Sequence, residues 1–117
     1  MRPERLYLID ILEAAESIHR FTGGVQESDF LQNDMLQSAV LQKLTIIGEA
    51  ASKLDSGFTA RHPQVPWRDI VAFRNIAVHA YFAVEWPIVW VAATEETPAL
   101  RDQVAAIVVR EFPAEES

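Results

Sequence analysis

The chain has no cysteine, which excludes both a disulfide framework and a thiolate metal site. Its three histidines are scattered at positions 19, 62 and 79 without close acidic partners, so the ligand spacing of a structural zinc site is missing too. Glycine is scarce, with four in 117 residues, and no Gly-rich phosphate loop can be assembled from them. No apolar run reaches the ~20 residues of a membrane span. The start, Met1-Arg2-Pro3-Glu4-Arg5, leads into an amphipathic segment with acids at 10, 13 and 16, unlike the apolar stretch of a signal peptide. Positive charge is short as well: ten Lys and Arg stand against seventeen Asp and Glu, a net charge of −7. That argues against broad nucleic-acid affinity, which rests on neutralising phosphates. The expectation is a soluble, cytoplasmic protein with no metal, no cofactor and no membrane partner.

What is present is hydrophobic surface. Half the residues are apolar, enough to exclude disorder away from the ends and to fill one core over residues 1–117. Residues from about Pro3 to Arg20 predict a first helix, with Leu6, Ile9, Leu12 (with Ile11), Ala15 and Ile18 at three- and four-residue spacing. Thr22-Gly23-Gly24 stops it, glycine supplying a positive φ, and His19 sits near its negative end. Ser28 or Asp29 then caps a long second helix running to about Leu54. One stripe on it (Leu36, Val40, Leu44, Ile47, Ala51 and Leu54) suits the core. A second stripe, Leu31, Met35, Ala39, Ile46 and Ala50, widens the apolar face beyond what one small core needs. A second copy of the chain is the simplest cover, so a homodimer is expected. Gly48 in mid-helix implies close helix packing, and Glu49 beside it is either a partnered buried acid or a boundary residue.

A polar loop through Arg61, His62 and Pro63 leads to Pro66, which opens a third helix from Trp67 to about Val78. His62, held extended before proline, reads as a loop element, and Trp67 as a core anchor. An apolar connector from Tyr81 to Val84 precedes a fourth helix at Pro87, ending near Glu96. Thr97-Pro98 has the form of a cap and first-turn proline, predicting a fifth helix with Leu100, Val104, Ile107 and Val108 on one face. Residues from about 113 to 117 form a frayed acidic tail. The fold expected is all-α: a five-helix up-and-down bundle.

Chemistry concentrates between Phe73 and Tyr81, where Arg74, Asn75, His79 and Tyr81 are separated by small or apolar residues. A guanidinium forks onto a phosphate, and an imidazole moves a proton near neutrality. On a straight helix, Arg74 and His79 lie about 140° apart and about 7.5 Å along the axis, whereas Asn75 is the face-mate of His79. The two converge if the arginine arm wraps around, if the helix loosens, or if a second chain brings its own copy. The surroundings are locally basic. From Arg61 to His79, three arginines against Asp69 leave that stretch at +2 and the remainder of the chain at −9. One basic spot on an acidic body suits a small phosphate site or a basic partner protein.

Arg74-x4-His79-x-Tyr81 resembles the R-x4-H-x-Y motif of the HepT-like toxins, a branch of the all-helical HEPN ribonucleases. Ile47-Gly48-Glu49-Ala50 is similar to that family's "IGEA", and His62-Pro63-Gln64-Val65-Pro66-Trp67 to its "HP-x-(I/V)-PW". Val84-Glu85-Trp86 with Val89-Trp90 resembles its "VD…VW". Glu85 stands where the family usually has Asp; a longer carboxylate caps less well, leaving the start of the next helix weakly specified.

The resemblance implies a metal-independent endoribonuclease toxin that cleaves RNA by attack of the ribose 2′-OH. His79 would be acid or base, Arg74 the phosphate clamp, and Asn75 an orienting group. Apart from the resemblance, the place of Glu49 beside Gly48 makes it a further candidate near Arg74 or His79. It also implies a nucleotidyltransferase antitoxin that adds AMP to Tyr81. A reading from another class is a non-catalytic module that binds a nucleotide or the nucleotidyltransferase through the same residues.

Overall fold

A computed structural model of the protein describes residues 3–79 and 85–113, without the side chains of residues 77–79. Every regular element among the described residues is a helix, in the order α1 (Glu4–Thr22), α2 (Glu27–Phe30), α3 (Asp34–Ser52), α4 (Ser56–Ala60), α5 (Trp67–His79), α6 (Trp86–Val91), a π turn (Ala92–Glu96) and α7 (Thr97–Glu111). None of these helices is long and apolar enough to cross a membrane. The expectations for the connector at Tyr81 and for the tail from 114 fall outside the described residues.

Helix α3 is the centre of the arrangement, packed on α5 along one side and on α1 along the other. Leu8, Ile11, Ala15 and Ile18 of α1 meet Val40, Leu44, Ile47 and Ala51 of α3 in the core, closed by Ile70 and Phe73 of α5 and by Leu100, Val104 and Ile107 of α7. The buried face of α1 is rotated from the expected stripe, since Leu6, Ile9 and Leu12 are only half-buried. At the end of α1, Gly23 has φ −60° and the positive φ falls on Gly24 at 76°.

The architecture departs from the expected five-helix bundle in three places, each for a physical reason. The long second helix is broken: α2 ends at Phe30, and Asn33, not Ser28 or Asp29, caps α3, its Oδ1 accepting from Leu36 N at 3.0 Å. The break turns Phe30 fully inward, against the rings of Trp86 (6.1 Å between centroids) and Trp90 (5.0 Å). Gln37 Nε2, itself buried, donates to the Phe30 carbonyl at 3.0 Å, which also accepts from Asn33 N at 3.2 Å across the break.

The expected fourth and fifth helices, by contrast, are joined. Thr97 keeps helical angles (φ −66°, ψ −43°), and its hydroxyl donates back to the Ala92 carbonyl at 2.7 Å instead of capping a new helix. The intervening π turn absorbs Pro98, which has no N–H to give to Thr94 and whose ring would crowd that carbonyl in a regular α-helix. The third departure is α4, a short helix in the stretch expected as loop; Asp55 caps it, accepting from Gly57 N at 2.8 Å, and it buries Phe58. Glu85 precedes α6 without a side-chain capping bond, as its length suggests.

Candidate active site on the fifth helix

Helix α5 is placed by its contact with α3, and that contact is governed by Gly48. A Cβ at Gly48 would fall inside van der Waals distance of the Arg74 backbone nitrogen, and only 3.0 Å from Arg74 Cβ and from the Val71 carbonyl oxygen. The absent side chain therefore lets the two backbones touch where Arg74 begins. Arg74 emerges from this seam half-buried, and among the described residues it makes no ion pair. A partly desolvated guanidinium without a carboxylate is free to bind an anion.

Asn75, one residue on, is exposed. His79 is the last residue of α5; its side chain, and the whole of Tyr81, lie outside the described residues. On the helical backbone, Asn75 and His79 share a face one turn apart, while Arg74 leaves toward α3.

Glu49 is not the buried acid considered from sequence. It is exposed and turned about 100° from Gly48, lining the groove between α1 and α3 with Tyr7, Asp10 and Lys53. The opposite flank of α5 borders a second groove of about 470 Å³ against α6, the π turn and α7. Ile70, Phe73, Ile76 and Leu100 floor this groove, and Asp69 and Glu96 stand among its lining residues. Its position and its acids make it a poor phosphate site.

Tertiary pairing reshapes the local basic stretch. Arg61 donates to Glu111 Oε1 at 2.7 Å, so its charge is matched from the far end of the chain. This hydrogen bond raises Arg61 above its ordinary range and, with a further bond from His62, holds the Glu111 carboxyl below its ordinary value. Arg68 is exposed and outside any ion pair among the described residues. His62 is the loop element it was expected to be, between α4 and α5, but a buried one, with Nε2 at 2.5 Å from Glu111 Oε2. No sequence signal pointed to Glu111, which lies 49 residues from His62. Trp67 packs against the core and donates its indole N–H to the His62 carbonyl at 2.9 Å, the anchor it was expected to be. Among the described residues, no three His, Cys, Asp or Glu side chains gather as metal ligands.

A family model described as ribonuclease HepT-like matches residues 11–107. The chain belongs to the HepT-like ribonuclease family. The match begins inside α1, ends inside α7 and contains the whole of α5. A protein of Thermococcus cleftensis described as a probable ribonuclease HepT is 39% identical over 100 residues, covering 86% of this chain and 91% of its own length. A candidate RNase of Methanocaldococcus jannaschii is 34% identical over 106 residues, 91% of this chain and 97% of the relative. Another, from Caldanaerobacter subterraneus, is 35% identical over 111 residues, 95% and 99% of the two chains. No solved structure matches the chain. A ribonuclease-type function follows for this HepT-like chain, and α5, with Arg74, Asn75 and His79, lies wholly within the matched residues.

Proposed function

We propose that this HepT-like protein is a metal-independent endoribonuclease and the toxin of a toxin–antitoxin pair. The observation that carries the reading is Arg74: a half-buried guanidinium, unpaired among the described residues, on the helix that ends at His79. In the reaction, the ribose 2′-oxygen bonds to the adjacent phosphorus while the bond from phosphorus to the 5′-oxygen breaks. The products are a 2′,3′-cyclic phosphate and a free 5′-OH. His79 takes the 2′-OH proton or delivers one to the leaving oxygen. Arg74 holds the scissile phosphate and stabilises the charge that grows on it, and Asn75 orients the imidazole or donates to a phosphate oxygen.

One imidazole does not serve readily as acid and base in the same step. Two chains sharing a cleft supply two motifs, which ties activity to a homodimer. Leu31 before α3 and Met35 and Ile46 within it are exposed, Met35 by 78%, and offer apolar side chains to such a partner.

Neutralisation falls to a nucleotidyltransferase antitoxin, which transfers AMP from ATP to the Tyr81 hydroxyl with pyrophosphate leaving. The added phosphate puts negative charge where an RNA phosphate must bind. The net charge of −7 favours one other reading, a non-catalytic module that holds the nucleotidyltransferase or a nucleotide.

Expression of the chain alone separates the two. Wild type should arrest growth and leave RNA fragments with 2′,3′-cyclic phosphate ends, in EDTA as in its absence, and Arg74→Ala or His79→Ala should do neither while keeping a helical circular dichroism spectrum. Intact RNA with wild type points to the binding module. With the antitoxin, ATP and Mg²⁺, intact mass should rise by adenylate increments on wild type and not on Tyr81→Phe.

A further inference from the structure

The stretch leading into α5 and the end of α7 are joined by a cluster the proposed reaction does not use. His62 is 2% exposed, its Nε2 at 2.5 Å from Glu111 Oε2, and Arg61 Nη2 donates to the other carboxylate oxygen at 2.7 Å. The Phe58 ring packs against the imidazole, 4.9 Å between centroids, and under the Arg61 guanidinium at 5.2 Å. Gln103 Nε2 of α7 adds a second tie, donating to the Gln64 carbonyl at 3.1 Å. Burying this histidine is costly, because its Nδ1 has no hydrogen-bond partner among the described residues. An aliphatic side chain would fill the space without that cost, so the bond to Glu111 is what the imidazole supplies. The His62 carbonyl in turn accepts from the indole of Trp67, the first residue of α5.

Two contacts orient a rigid helix. The Gly48 crossing holds α5 at Val71 and Arg74, and the clasp holds its beginning. We propose that His62 and Glu111 are positioning residues for the α5 site, their clasp setting the angle of the helix and so the place of His79. The inference rests on reading α5 as the reactive helix. The crossing is about 8 Å along the axis from Trp67 and about 10 Å from His79. A shift of about 1 Å at the first end therefore becomes roughly 1.2 Å, in the opposite sense, at the second. Misplacement of that size costs about a hundredfold in rate for a reacting group. The charged groups around the clasp are Glu111 from α7, Arg61 beside His62, and the carboxylates of Asp55 and Glu4, both of which act on Arg61.

Glu111 is the residue to change, since it lies near the surface at the end of the chain and its loss spares the core. Glu111→Ala removes the acceptor; Glu111→Gln keeps an amide oxygen in its place. Cleavage of a single-stranded RNA oligonucleotide is measured at a temperature where circular dichroism shows both variants folded. Glu111→Ala should lower kcat tenfold or more with KM within twofold of wild type, and Glu111→Gln should restore most of it. In ¹H–¹⁵N spectra, Glu111→Ala should move the Trp67 indole resonance, assigned by Trp67→Phe, and the amides of residues 71–79. A kcat within twofold of wild type, or a loss that only tracks the unfolded fraction, overturns the proposal. If wild type cleaves no RNA, the ribonuclease reading fails by itself, and the spectra still decide on the clasp. Shifts that reach 71–79 sustain it, and shifts confined to residues 58–67 refute it.

Discussion

Replacing Gly48 by alanine sets two effects of known sign against each other. In an exposed helix the change stabilises by about 1 kcal/mol, because alanine loses less backbone freedom. Here the new methyl group meets the Arg74 backbone nitrogen inside contact distance, with Arg74 Cβ and the Val71 carbonyl oxygen at 3.0 Å. None of these atoms is the end of a flexible side chain, so α3 and α5 must separate. Restoring ordinary contact takes on the order of 1 Å, and a gap of that size forfeits up to half of each dispersion well along the seam. Overpacking of this kind costs about 1–3 kcal/mol, and a clash against backbone belongs at the upper end. The net loss is about 2 kcal/mol, which for a domain of this length lowers Tm by roughly 8 °C. Thermal unfolding followed at 222 nm measures it. Cleavage should fall further than the fraction folded, since Arg74 starts at the same seam. A Gly48→Ala protein as stable as wild type, or more stable, would mean that propensity wins and that the helices do not touch there.

Three other outcomes are expected. Light scattering after size exclusion should give twice the 13.2 kDa chain mass, and Met35→Lys, at a 78% exposed position, should weaken the dimer; a monomer at micromolar concentration removes the composite site. The Glu111 carboxyl is held below its ordinary value of 4.5, first by the Arg61 hydrogen bond and then by that from His62. Its contribution to stability is therefore present above about pH 4.5 and lost as pH falls through the lower folded value. The urea midpoints of wild type and Glu111→Gln should differ at pH 7 and draw together as pH falls below 4.5; a gap that does not narrow with acid counts against the pairing. Asn33→Ala should destabilise by about 1 kcal/mol through loss of the α3 cap, whereas Ser28→Ala should be nearly neutral; equal effects would restore the single long helix.

Much of this protein could be read from local pattern. The bounds of α1 and α5 follow from apolar spacing and from proline or glycine at their ends, which act within one or two turns. The apolar stripe of α3 from Leu36 to Ala51 and the close packing at Gly48 were legible for the same reason. So was the motif helix itself, since Arg74, Asn75 and His79 lie within six residues of one another.

Tertiary structure decided what local signals left balanced. The local pattern offered Ser28 or Asp29 as the cap, yet Asn33 caps α3, because breaking the helix there lets Phe30 bury against Trp86 and Trp90, more than fifty residues on. Thr97-Pro98 carries the signature of a helix start. Packing kept the chain helical, and the π turn took up the missing N–H, because Thr97 is fully buried with its hydroxyl on Ala92. The partner of Gly48 was likewise beyond reach of the pattern: a glycine announces close approach, but only the crossing of α3 over α5 names Arg74 and Val71. His62 lies in the loop where it was expected, but its burial was beyond reach of the pattern because its partner, Glu111, is nearly half the chain away. Composition and spacing determine which segments coil and which residues can do chemistry. The contacts between those segments, summed over the whole core, decide where each helix breaks and what each side chain faces.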